Sequence, residues 1–180
     1  MAAVIGDLRT TPALERRELL AEPVVAALVA RPDVAERVQV AEIDPGLADT
    51  ADFCKAYAVP LQVSANCVVV SGRRGGDART AACVVLATTR ADVNGVVRRM
   101  LDVRKASFLP MEEATQATGM EYGGITPLGV PDGWQVYVDG AVAATPYVVV
   151  GSGLRRSKLV LPGATLAALP DVAVVDGLGR

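Results

Sequence analysis

Short valine-rich runs, broken every few residues by glycine or proline, set the strongest limit on how this 180-residue chain can fold. The runs at 62–71 and 80–88 flank a tip, 72–77, that holds two arginines and three glycines. That pattern predicts a β-hairpin, since glycine supplies the positive φ that tight turns require. Further strand-like runs stand at 37–43, 106–109, 136–138, 147–150, 158–161 and 172–175, with Asp44-Pro45-Gly46 as a turn. Helical spacing is found between them. Thr10 or Thr11 before Pro12 reads as a helix start, and Leu14, Ala21, Val24, Val25 and Leu28 form a stripe interrupted by Pro23, which predicts a kink or two abutting helices. Residues 49–57, 92–101 (with Asp92 as cap), 111–118 (stopped by Gly119) and 162–169 complete the helical set. The β-rich C-terminal part lacks regular βαβ spacing. The expected fold is therefore α+β: a mixed, partly barrel-like β-sheet with surrounding helices, in a single domain over 1–180 with 1–36 as a helical N-terminal extension packed on it.

Composition narrows the chemistry. Hydrophobic residues make up 51% of the chain but aromatics only 4%, so the core must be built from small and β-branched side chains. There is no histidine, which excludes Ser-His-Asp and Cys-His nucleophilic sites and histidine-bearing zinc sites. Cys54, Cys67 and Cys83 are too far apart for a CxxC pair, and buried thiols are the expectation. Gly151-Ser152-Gly153 lacks the P-loop lysine and the dinucleotide fingerprint. No metal and no cofactor is expected. The N-terminal MAAVIGDLRTTP lacks the apolar core of a signal peptide, and no apolar run reaches the ~20 residues of a membrane span. A cytoplasmic address with no membrane partner follows as an expectation.

The net charge of −2 argues against global attraction to polyanions such as DNA, but its distribution is uneven. Residues 60–110 carry 8 basic and 3 acidic groups, whereas the segments on either side are acidic. Arg73 and Arg74 lie on the hairpin tip, Arg98, Arg99, Arg104 and Lys105 follow, and Arg155, Arg156 and Lys158 form a later cluster. Such groups could grip phosphates, or simply form a solvated face. The aromatics are not interleaved with them, so extensive base stacking is not expected.

The stretch 115–129, TQATGMEYGGITPLG, is dense in conformational specialists. Gly123 and Gly124 permit close approach of a ligand to bare backbone, whose amides could hold a carbonyl oxygen as an oxyanion site does; packing glycines in a tight crossover are the competing reading. Together, Ala117-Thr118-Gly119, Gly123-Gly124-Ile125-Thr126-Pro127-Leu128-Gly129, Lys105 and Val150-Gly151-Ser152-Gly153-Leu154-Arg155-Arg156 resemble the YbaK/ProX family of editing domains, across about 43–175. These are aminoacyl-tRNA deacylases related to the insertion domain of bacterial prolyl-tRNA synthetase.

The resemblance implies that family's fold and hydrolysis of the ester on mischarged tRNA, with Cys- or Ala-tRNA(Pro)-like substrates. Position in the motif and charge single out Gly123, Gly124, Asn66 and Lys105 as candidate catalytic residues, and Ala65, Ile125, Thr126, Pro127, Gly151, Ser152 and Gly153 as candidate substrate-binding residues. Arg73, Arg74, Arg155 and Arg156 would hold the RNA. The implied partners are the aminoacyl-tRNA acceptor end and prolyl-tRNA synthetase. One position departs from the family pattern: its first-strand lysine falls on Ala65, or on Asn66 in a register one residue later, and neither carries charge. Two readings therefore stand beside deacylation: a catalytically silent member that binds aminoacyl-tRNA, an amino-acid derivative or a synthetase, and a small-molecule hydrolase unconnected to tRNA.

Overall fold

The computed structural model describes residues 5–180, so the first four positions of the segment read for a leader lie outside it. Nine strands run β1 (Thr10–Pro12), β2 (Gln39–Glu42), β3 (Ala65–Arg74), β4 (Asp77–Leu86), β5 (Ala106–Phe108), β6 (Gln135–Asp139), β7 (Val148–Gly151), β8 (Ser157–Leu161) and β9 (Val172–Val175). The helices are α1 (Glu22–Val29), α2 (Pro32–Ala35), α3 (Thr50–Ala56), α4 (Arg98–Met100), α5 (Met111–Thr118), α6 (Gly140–Ala144) and α7 (Gly163–Ala167). An antiparallel sheet has the order β1-β2-β8-β7, and a mixed sheet the order β5-β3-β4-β6-β9. In the second, β4 pairs with β6 and β6 with β9 in parallel. Ser64, just ahead of β3, bridges to Val149 of β7 and joins the two sheets at one corner.

The strands read as near-continuous valine because both faces of each sheet are covered, which removes the usual polar alternation. Along β4, Ala82 and Val84 point into the central core with Val40, Val148, Leu159 and Leu161 of the first sheet and Val24 and Leu28 of α1. The alternate residues Ala81, Cys83 and Val85 face the opposite side and pack on Val96, Val97 and Leu101. On the outer face of the first sheet, Val149 and Val160 meet Phe53 and Cys54 of α3. Each fully buried valine or leucine contributes on the order of 1.5–3 kcal/mol, so these three clusters fix which ends of β3, β7 and β8 meet.

Several expectations change. Residues Thr10–Pro12 form a strand paired with β2 instead of starting a helix. Pro23 sits in the first turn of α1, where no amide is needed, and a 3-10 segment, Ala13–Leu19, precedes it, so of the two alternatives read from Pro23 the structure has the abutting segments. Asp92 does cap its helix, accepting from the amides of Gly95 at 3.0 Å and Val96 at 3.1 Å, but the turn it starts is π-helical over Val93–Val97 before α4. Helix α6 escapes sequence reading because five small residues show no stripe; Asp139 caps it from the end of β6. The sheets do not close into a barrel among the described residues. Nor is any described helix long and apolar enough to cross a membrane.

Candidate functional site

Where the two sheets are bridged, a cavity of about 510 Å³ opens between β3, β7, β8, α3, α5 and the glycine loop. Ala65, Asn66 and Cys67 of β3 form one wall, Gly151 and Lys158 the floor, Asp49 and Thr50 one rim, and Gly123 and Ile125 the facing wall. Phe108, Leu109 and Met111, between β5 and α5, supply an apolar side.

The loop is held there by its backbone. Gly119 ends α5 in the left-handed conformation (φ +65°), which turns the chain back. The Glu121 amide then donates to Gly153 O at 2.8 Å, and the Gly153 amide to Gly124 O at 2.7 Å. Gly151 permits that approach, because a β-carbon there would lie 2.3 Å from Gly124 O and 2.7 Å from Ile125 O. The glycines therefore divide. Gly124 and Gly153 are packing and stitching residues, the Gly124 amide donating to Glu121 O at 2.9 Å. Gly123 (φ +78°) and Ile125 stand on the cavity wall with amides that have no hydrogen-bond partner among the described residues.

Asn66 lines the cavity. The Thr50 hydroxyl donates to its Oδ1 at 2.6 Å, which fixes the carboxamide and leaves Nδ2 without a partner among the described residues. Lys105 does not. Antiparallel pairing places Ala106 opposite Gly72 and Phe108 opposite Val70, so the residue before Ala106 lies toward the hairpin tip and is exposed there. Ser152 is fully buried, its hydroxyl bonded to that of Ser157 at 2.7 Å and accepting from the Leu154 amide, which ties the turn internally. Thr126 is buried with an unpartnered hydroxyl, and Pro127 lines a different hollow beside Trp134.

The four arginines also separate. Arg155 clamps the cavity rim: its guanidinium donates to Tyr122 O at 3.2 Å and Pro45 O at 3.3 Å and pairs with Asp49 at 3.5 Å. Arg156 donates to Glu18 O. Arg73 and Arg74 are on the hairpin tip, forming with Gly75 and Arg104 an exposed basic hollow; Arg74 pairs with Asp102.

In the sequence Lys158 reads as one of a cluster of surface cations, but it is 8% exposed and part of the cavity. Its Nζ donates to Ala48 O at 2.9 Å and lies 5.2 Å from the centroid of the Phe53 ring. Burial lowers its pKa, with Arg155 adding repulsion against the weaker pull of Cys54 and Asp49. The available signal was a lone lysine in the otherwise apolar or small run of β8. Thr50 and Asp49 carried no comparable signal. Burial raises the pKa of the thiols, Cys83 to about 12 and Cys67, on the cavity wall, upward as well, which disfavours the reactive thiolate. Among the described residues no group of three or more Cys, Asp or Glu side chains is placed to hold a metal.

These features define a small two-sheet α+β domain with a cavity at the sheet junction, bounded by a glycine loop and a buried cation. Residues 44–169 match the aminoacyl-tRNA editing domain family, and the chain belongs to it. Among solved structures it is similar to a candidate trans-editing enzyme for prolyl tRNA synthetase (22% identity, TM-score 0.74, covering 89% of this chain and 96% of that one). It is also similar to the hypothetical protein APE2540 (18% identity, TM-score 0.75, 88% and 100% covered) and to a structure from computational epitope grafting onto scaffold proteins (21%, 0.75, 89% and 97%). At these identities the likeness is one of fold. No curated protein matches the chain.

Proposed function

We propose that this chain is a YbaK/ProX-type aminoacyl-tRNA deacylase, hydrolysing the ester of mischarged tRNA of the Cys- or Ala-tRNA(Pro) kind in the cytoplasm, in partnership with prolyl-tRNA synthetase. The observation that carries the proposal is the pair of unpartnered amides, Gly123 and Ile125, on the wall of a cavity that also presents Asn66 Nδ2. A cavity of about 510 Å³ suits a small aminoacyl group with its ribose.

An aminoacyl ester beside a free ribose hydroxyl is intrinsically labile, so no strong nucleophile is needed. Water attacks the carbonyl carbon, and the carbonyl π pair moves onto oxygen, where the Gly123 amide stabilises it. Collapse of the adduct breaks the bond to ribose oxygen, which takes the proton lost by water through the neighbouring hydroxyl. Free amino acid and uncharged tRNA result. One well-placed donor of this kind is worth roughly 2.7–4 kcal/mol in the transition state, and Asn66 would orient the water or ribose. A panel of mischarged tRNAs incubated with the full chain tests the reading: accelerated release of one or a few amino acids is expected, and no acceleration on any member overturns it. A second reading, silent binding of aminoacyl-tRNA, is favoured by the uncharged side chains of Ala65 and Asn66; saturable tRNA binding without release would establish it.

A further inference from the structure

Lys158 combines three properties that a merely structural lysine does not need. It is more than nine-tenths buried, it has no carboxylate in ion-pair range among the described residues, and it forms part of the cavity that Ala65 and Asn66 line from the other sheet. One ammonium hydrogen bonds Ala48 O, which leaves two donors. Burying an unpaired ammonium is costly, and a weak contact with the Phe53 ring and one carbonyl offset little of that cost. Such a group is retained most readily where a ligand completes its shell. The opposite wall, with Ala65 and Asn66, lacks the amine that the family pattern places there.

Resting on the deacylase reading of the cavity, we propose that Lys158 is a catalytic residue that supplies the missing ammonium from β8, donating to the ester carbonyl oxygen of the aminoacyl group opposite the Gly123 amide. The charge needed at the reacting carbonyl enters from the floor of the cavity instead of from β3. As the carbonyl π pair moves onto oxygen, Lys158 stays protonated and stabilises the oxyanion. Asp49, exposed at the rim and paired there with Arg155, also attracts the substrate's α-amino group, which the ammonium would repel.

The test uses the purified full chain, with two readouts on wild type, Lys158→Met, Lys158→Arg and the transplant Ala65→Lys/Lys158→Ala. Circular dichroism verifies folding. The first readout is single-turnover deacylation of mischarged tRNA, the second binding of 3′-deoxy-3′-alanylamidoadenosine and its seryl counterpart, which have an amide in place of the ester. Lys158→Met is expected to slow deacylation by about 100-fold or more, the scale of losing one oxyanion donor, and to weaken analogue binding by about tenfold. The transplant is expected to recover at least about tenfold of the lost rate. If no tRNA is deacylated by wild type, the function reading fails by itself, while a tenfold loss of analogue affinity in Lys158→Met still supports the lysine's place at the carbonyl. Equal rates and affinities in wild type and Lys158→Met, or no binding of either analogue to wild type, overturn the proposal.

Discussion

The β3–β4 hairpin has two ends that share strands and differ in everything else. At one end Ala65 is buried and Asn66 is fixed by Thr50 beside an open-mouthed cavity, among whose lining residues the one buried cation, Lys158, comes from β8. At the other, Arg73 and Arg74 precede Gly75 and Gly76, whose backbone has positive φ and open space around it. The ends are ten residues of extended strand apart, on the order of 30 Å at ~3.3 Å per residue. Density of positive charge in the sequence therefore locates an exposed basic surface. It does not locate the chemistry. Chemistry needs few charges, held where water is scarce and their effect is strong.

The largest effect should come from joining the glycine loop wrongly to the cavity end. A β-carbon on Gly151 would meet backbone oxygens of Gly124 and Ile125, which no rotamer change can move aside. Gly151→Ala should cost about 1–3 kcal/mol of stability in denaturant titration and abolish deacylation, whereas Gly75→Ala at the tip, strained only by its φ, should cost about 1 kcal/mol. Equal stability losses at the two positions would remove the contrast between a packed and an open end.

At the tip, Arg73→Ala/Arg74→Ala should weaken tRNA binding by about tenfold at low salt and reduce the salt slope by about one for each phosphate no longer gripped. Separating Arg74 from Asp102 breaks an exposed pair and should cost no more than about 1 kcal/mol. Filter binding across a salt series gives the slope, and an unchanged slope would place RNA elsewhere.

At the cavity end, Lys158 makes stability and function run in opposite directions. Its folded-state pKa is lowered, so burial penalises the charged form, and the penalty is fully present below that pKa. Lys158→Met should therefore leave Tm unchanged or raise it near pH 7. As pH climbs from the lowered value toward the ordinary lysine value of 10.5, the wild type should gain on the variant, because the unfolded chain binds the proton more tightly. Burial sets the shift, Arg155 adds to it, and Cys54 and Asp49, which also face the amine, oppose it. A Tm that falls sharply in Lys158→Met at neutral pH would mark the residue as a structural tie to Ala48. Smallest of all, alkylation of the folded protein at pH 8 should leave Cys67 and Cys83 unlabelled by mass spectrometry, since burial keeps both thiols protonated.

Most strands were legible because β-branched runs bounded by glycine have one physical meaning, and α5 was legible from Pro110, its acidic first turn and Gly119. Pairing was not. The parallel β4-β6 and β6-β9 contacts join segments far apart in sequence, and strands of four or five residues do not name their partners. In the site, Asn66, Gly123, Ile125 and Gly151 were readable because backbone geometry and position in the motif mark them. Lys105 was misplaced because its location depends on the β3–β5 register, and Lys158 was missed because a charge beside Arg155 and Arg156 reads as surface until the strand is seen to be buried.

Blocking the cavity while sparing the tip tests the account most directly. Ala65→Trp would fill the wall of the cavity at about 26 Å from Arg73, at ~3.3 Å per residue, and its single-turnover rate on the most rapidly deacylated mischarged tRNA can be set beside its affinity for that tRNA. The account predicts a rate at least about 100-fold below wild type with tRNA affinity within a fewfold. A folded Ala65→Trp protein that deacylates at the wild-type rate would contradict it.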